Sequence, residues 1–201
     1  MRPRVNAERS RPEFAGEFET HVTLGAGCGD AVASWAGRHA IAYTRIVLDR
    51  GRVPEQPMLT LRGHGTLSTQ LEAAHACVAQ VRAAGFEVVR VKIEAAPWNA
   101  DVPRTAADAA ALPADCHFEH HVKLLLADDA ELALLREVAA RHGARVSRNA
   151  RRERADLGAG AHERFATQRC HAMGRDRARR RLHALTAALA AAGWSIAATE
   201  E

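Results

Sequence analysis

Two seven-residue stretches decide the fold: Phe18-Glu19-Thr20-His21-Val22-Thr23-Leu24 and Phe118-Glu119-His120-His121-Val122-Lys123-Leu124. They share Phe, Glu, His, Val and Leu at an offset of 100 residues. Each alternates apolar and polar side chains and is rich in β-prone residues, the pattern of a half-buried strand. Two further blocks repeat in the same order. Thr60-Leu61-Arg62-Gly63-His64 matches Thr167-Gln168-Arg169-Cys170-His171 at an offset of 107, and Gly85-Phe86 matches Gly193-Trp194 at an offset of 108. Slowly growing offsets are what loop insertions produce in the second copy of a duplicated unit.

Each copy reads as strand, helix, strand, strand, helix, strand. In the first copy the strands are Phe18–Leu24, Ile41–Asp49, Met58–His64 and Phe86–Glu94. Helices lie between, one from Asp30 to Arg38 and one capped by Ser68, with Leu71, Ala74, Cys77, Val78 and Val81 at helical spacing and Gly85 as stop. The second copy offers Phe118–Leu124, a helix over Asp128–His142, then Ala144–Arg151, Arg164–His171, a helix over Arg175–Ala192, and a last strand from Trp194. The expected fold class is α+β, a tandem duplication of a ferredoxin-like βαββαβ unit. The expected organisation is a flexible tail over 1–16, repeat one over 17–96, a Pro- and Ala-rich linker over 97–116, and repeat two over 117–201.

Strand alternation sorts side chains onto faces. Glu19, His21 and Thr23 share one face of the first strand, and Thr60, Arg62 and His64 one face of the third. Arg90, Lys92 and Glu94 share a face of the fourth, opposite Val89, Val91 and Ile93 on the core side. The second copy places Glu119, His121 and Lys123, then Thr167, Arg169 and His171, in the same way. A merely solvated face would carry arbitrary charges. What repeats here is Glu-x-His and Thr-x-Arg-x-His, residue types suited to proton transfer and oxyanion binding. The two charged faces are expected to curl together into a pseudo-symmetric barrel or cleft.

A duplicated unit with His21-Val22-Thr23 on the first strand of one half and His121-Val122-Lys123 on that of the other resembles the 2H phosphoesterase (LigT-like) family. That family carries a pair of His-x-Thr/Ser motifs, one per lobe, facing across a cleft. The resemblance implies His21 and His121 as acid and base on a phosphodiester, with Thr23 on a phosphate oxygen. Lys123 stands where the family has a hydroxyl. Glu17-Phe18-Glu19-Thr20-His21 and Leu59-Thr60-Leu61-Arg62-Gly63 are also similar to strands of the CYTH triphosphate-tunnel enzymes, which hold triphosphate and a divalent metal inside a charged barrel.

Net charge is +4, but residues 145–181 hold 12 Arg against 4 acids, a block that points to a phosphate-bearing partner. The scarcity of Phe and Tyr argues against an RNA reader of the aromatic type. Four scattered cysteines without a CxxC pair signal neither a zinc ribbon nor a redox motif, and fit reduced thiols in a cytoplasmic protein. No apolar run is long enough to span a membrane. The glycine-rich Gly25-Ala26-Gly27-Cys28-Gly29 reads as a turn, since Asp30 replaces the last glycine of a dinucleotide fingerprint. His120 and His121 point to opposite faces and cannot chelate together, so no metal-ligand set and no cofactor is indicated.

The expected function is binding of a small anionic or nucleotide-like ligand in a polar cleft between the repeats, as a phosphodiester or polyphosphate hydrolase. His21 and His121 would be catalytic. Thr23, Arg62, His64, Lys123, Arg169 and His171 would bind the anion, with Glu19, Glu119, Thr60 and Thr167 in support. Two alternatives stand beside it: a non-catalytic ligand- or partner-binding module of a larger protein, and nucleic-acid binding through the Arg-rich second repeat.

Overall fold

The computed structural model describes residues 12–48, 54–149 and 162–201. Among the described residues, eight strands and five helices follow one another: β1 (Gly16–Leu24), α1 (Gly29–Arg38), β2 (Ala42–Leu48), β3 (Glu55–Gly65), α2 (Leu67–Ala83), β4 (Val88–Ala95), α3 (Ala106–Ala110), β5 (His117–Leu126), α4 (Leu132–Arg141), β6 (Ala144–Asn149), β7 (His162–His171), α5 (Arg175–Ala191) and β8 (Ser195–Glu200). All strands join one antiparallel sheet in the order β4-β1-β3-β2-β6-β7-β5-β8. Within each half the relative strand order is the same, and the halves meet edge to edge where β2 pairs β6.

Of the two expected forms, barrel or cleft, the closed barrel does not form. β4 and β8 are the two edges of the sheet and do not pair, so the sheet stays open. It nevertheless curls strongly about its charged face. Lys92 on β4 reaches Glu119 on β5, although five strands stand between β4 and β5 in the sheet order.

The opposite face carries the helices and two large cores, with a smaller cluster of Cys170, Met173 and Ala178 beside them. In the first half Val22, Leu24 and Leu59 of the sheet pack against Val32 and Trp35 of α1 and Val81 of α2. In the second, Val122, Leu124 and Leu126 pack against Leu135 and Val138 of α4 and Leu182, Leu185 and Leu189 of α5. Burial of such large aliphatic side chains, at about 1.5–3 kcal/mol each, is what keeps both sets of helices on one side and leaves the charged side open.

Three local expectations are corrected. The cap of α2 is Thr66, not Ser68: the amide of each of Thr66 and Thr69 donates to the other's hydroxyl oxygen in a reciprocal box. On β4 Val89 is not a core residue but 57% exposed. A bulge where Leu24 pairs Val88 and Thr23 pairs Arg90 skips Val89, and Val88 takes the core position. Val91 keeps the core side but is exposed because β4 is an edge.

The stretch read as a tail lies outside the described residues as far as residue 11. Beyond it, Glu13 closes over the start of α2 by accepting from the Ser68 amide and hydroxyl at 2.9 and 2.7 Å. The linker contains α3, and Gly174, just before α5, packs directly on the Arg104 backbone. Gly85 and Gly193 end the long helix of each half with φ of +85° and +97°, a conformation that suits glycine. Among the described residues no helix is long and apolar enough to cross a membrane.

Candidate functional site

The curl of the sheet brings Glu19, His21 and Arg62 of one half and Glu119, His121 and Arg169 of the other into one open groove of about 2640 Å³, which Lys92 and Glu94 also line. Strand register builds the same unit twice. On β1 and β3, His21 stands opposite Thr60 and Glu19 opposite Arg62. On β5 and β7, His121 stands opposite Thr167 and Glu119 opposite Arg169. The side chains then make the same contacts. His21 Nδ1 bonds Thr60 Oγ1 at 3.0 Å, and His121 Nδ1 bonds Thr167 Oγ1 at 3.1 Å. Arg62 Nε pairs with Glu19 at 2.8 Å, and Arg169 Nε with Glu119 at 2.5 Å.

With Nδ1 tethered, each imidazole turns Nε2 into the cleft. His21 Nε2 meets Glu94 at 2.6 Å, and His121 Nε2 meets Glu119 at 3.3 Å. Lys92 joins the two halves, its Nζ lying 2.8 Å from Glu94 and 2.7 Å from Glu119. A continuous chain therefore runs from one imidazole to the other through carboxylate, ammonium and carboxylate.

Glu119 is the hub. Its side chain is only 6% exposed and accepts from Lys92, His117, His121 and Arg169. Burial alone would raise its pKa, but the hydrogen bonds from His117 and His121 and the Lys92 charge outweigh that and hold the carboxyl far below its ordinary range. Glu94 is pulled down in the same way: the His21 hydrogen bond and Lys92 overcome burial. His117 moves up, because its bond to Glu119 favours the imidazolium more than burial opposes it.

The other expected site residues are placed differently. Thr23 is buried, and its hydroxyl oxygen makes no hydrogen bond. Lys123 lines the groove but is engaged elsewhere, 3.6 Å from buried Glu163 and 5.5 Å above the Phe165 ring. His64 is exposed opposite Glu17, and the His171 ring lies tilted against that of His117 with centroids 4.7 Å apart. His120 is buried on the helix face, bonded to Gln168 at 3.1 Å, and burial depresses its pKa.

Lys92, Glu94 and His117 belong to the cluster but escape a reading based on repeated motifs, because their counterparts differ in type. Alternation on β4 already put Lys92 and Glu94 on the charged face. Glu94, Glu119 and His121 present donor atoms within 4.8 Å of one another, a spacing that suits a divalent ion. Lys92 lies on both of those carboxylates, so an ion there would displace the ammonium.

The described arginines of the block are dispersed. Residues 150–161, with Arg151, Arg152 and Arg154, lie outside the described residues. Arg164 is buried, Arg179 is held by Glu201, and Arg175 donates to the Pro97 carbonyl. No known family model matches the chain, and no curated protein matches it in sequence.

Proposed function

We propose that the cleft binds a phosphate-bearing ligand and that His21 and His121 act on it as a general acid–base pair, hydrolysing a phosphodiester. The reading takes the two halves as copies of one ferredoxin-like unit, supported by their common strand order and by the Glu-Arg and His-Thr pairs in equivalent register. The observation that carries it is the convergence of two like-placed imidazoles, one from each half, on the bridge formed by Glu94, Lys92 and Glu119.

A phosphoryl group offers oxyanions of the kind that these Nε2 atoms and the ammonium already engage, so it can exchange with the carboxylates as acceptor. One neutral imidazole then takes a proton from the attacking water. The new P–O bond forms, the bond to the leaving oxygen breaks, and the other imidazole, protonated, delivers its proton to that oxygen. Thr60 and Thr167 hold the ring planes for both transfers. Arg62 and Arg169, at the rim, draw charge toward the non-bridging oxygens.

The test is hydrolysis of bis(p-nitrophenyl) phosphate, a 2′,3′-cyclic nucleotide and inorganic triphosphate by the intact chain. His21→Ala is expected to lower turnover by about 10²- to 10⁴-fold, the usual worth of a general acid or base, with little change in KM. If the intact chain hydrolyses none of the three, catalysis is ruled out.

A further inference from the structure

Of the three tryptophans, Trp35 and Trp194 are buried in the two cores, whereas Trp98 is 65% exposed and lines the same groove as His21 and His121. It is not a loose surface side chain. Its indole N–H donates to Glu17 Oε1 at 3.3 Å. The next residue, Asn99, is buried and clamps this loop to the start of β1: its carboxamide oxygen accepts from the Glu17 amide at 2.9 Å, and its nitrogen donates to the Phe14 and Glu17 carbonyls at 2.9 and 2.7 Å. Backbone bonds from Ala96 to Glu17 and from Ala100 to Ala15 complete the clamp. A large aromatic ring is thus held rigid and left open to water, at the groove and away from either core.

Its place along the groove is set by β1. Glu17, Glu19 and His21 follow one another on one face, at roughly 7 Å per pair of residues. The Trp98 anchor therefore lies about one such step from Glu19 and about two from His21. On the facing half, His117 occupies the position equivalent to Glu17 and lies beside His171 with the rings tilted by 35°, so aromatic rings border this end of the cleft from both sides. A rigid indole beside a cluster built for oxyanions is the arrangement that takes a base on one side and its phosphate on the other.

We infer that Trp98 is the stacking platform for a planar base, so that the ligand of this cleft is a nucleotide and not a bare phosphate or polyphosphate. This rests on the phosphate reading of the cleft and narrows it to a substrate class. Stacking on one indole makes a nucleotide bind on the order of 10- to 100-fold more tightly than its base-free counterpart.

The test compares adenosine 5′-monophosphate with methyl phosphate, which carries the same phosphomonoester without the base, by calorimetry on the full chain. Acrylamide quenching of tryptophan fluorescence runs in parallel, since Trp98 is the exposed indole. The nucleotide should bind 10- to 100-fold more tightly and shield the fluorescence from quencher, and methyl phosphate should bind weakly without shielding it. Trp98→Ala should reduce nucleotide affinity to that of methyl phosphate and leave methyl phosphate unaffected; Trp98→Phe should keep most of the difference. Equal affinities in the intact chain, or equal weakening of both ligands by Trp98→Ala, would overturn the base platform while leaving the phosphate site standing. Failure of both ligands to bind would remove the phosphate site and the platform with it.

Discussion

Lys92 on β4 and Glu119 on β5 meet at 2.7 Å, although five strands separate β4 from β5 in the sheet. This contact joins the two halves across the groove rather than along the β2–β6 seam. It also puts Glu119, which belongs to the second half, under the charge of the first.

Removing the hub should cost more than removing the rim. Glu119→Gln leaves Lys92, Arg169 and two imidazoles without their shared anion in a mostly buried position. The expected loss is about 2–3 kcal/mol, the range for hydrogen bonds to charged groups. Arg62→Ala removes a partner of Glu19 whose side chain is 82% exposed, and should cost under about 1 kcal/mol. Urea unfolding of the two variants checks the ranking.

Stability should fall away on both sides of a plateau. Glu119 and Glu94 are held below their ordinary value of 4.5, so their contribution is present above that value and lost as pH drops below it. His117 is raised above 6.5, so its contribution is full below 6.5 and is lost as pH rises through the raised value. Urea midpoints across pH should decline steeply below 4.5 and more gently above 6.5. Glu119→Gln should flatten both limbs, since Glu119 is the partner of His117.

Lys92 acts as the built-in cation of the bridge. Lys92→Ala leaves Glu94 and Glu119 facing each other with His121 beside them, and is expected to gain binding of Mn²⁺ or Zn²⁺ that the parent chain lacks. The readout is a metal-dependent rise in melting temperature, which follows from binding to the folded state alone. A variant indifferent to metal, or a parent that binds equally well, would show that the ammonium does not occupy a cation position.

Gly174 tests how firmly the segment between β4 and β5 is docked. A Cβ at this position would overlap the Arg104 carbonyl and the Thr105 amide, which are backbone and cannot swing aside. Gly174→Ala is expected to destabilise by about 1–3 kcal/mol, the cost of forcing backbone shifts in a packed contact, whereas Gly37→Ala, where a Cβ meets open space, should not destabilise.

Much of this arrangement was legible from strand alternation. Phe18, Val22 and Leu24 in one half, and Val122 and Leu124 in the other, set the buried face, so Glu19, His21, Glu119 and His121 had to share the opposite one. The repeated Thr-x-Arg blocks located their partners, because register places Thr60 and Thr167 directly across from the two histidines. What escaped depends on geometry beyond a single strand. A bulge at Val89 shifts the phase of β4, and no periodicity announces it. The degree of curl decides between barrel and cleft, and sequence pattern carries no signal for it. Lys92 and His117 join the cluster through contacts across the groove or beside Glu119, where the two copies differ in residue type. Thr23 and Lys123 share the right face but lie where packing buries one and Glu163 draws the other.

The central claim is that one reaction centre is assembled from both halves. The most direct measurement is phosphodiester turnover by His21→Ala, His121→Ala and the double variant. Residues acting as a unit lose nearly everything at the first substitution, so each single variant should fall about as far as the double. Losses that multiply, or a single variant that keeps full turnover, would mean that the two imidazoles do not work on a shared group.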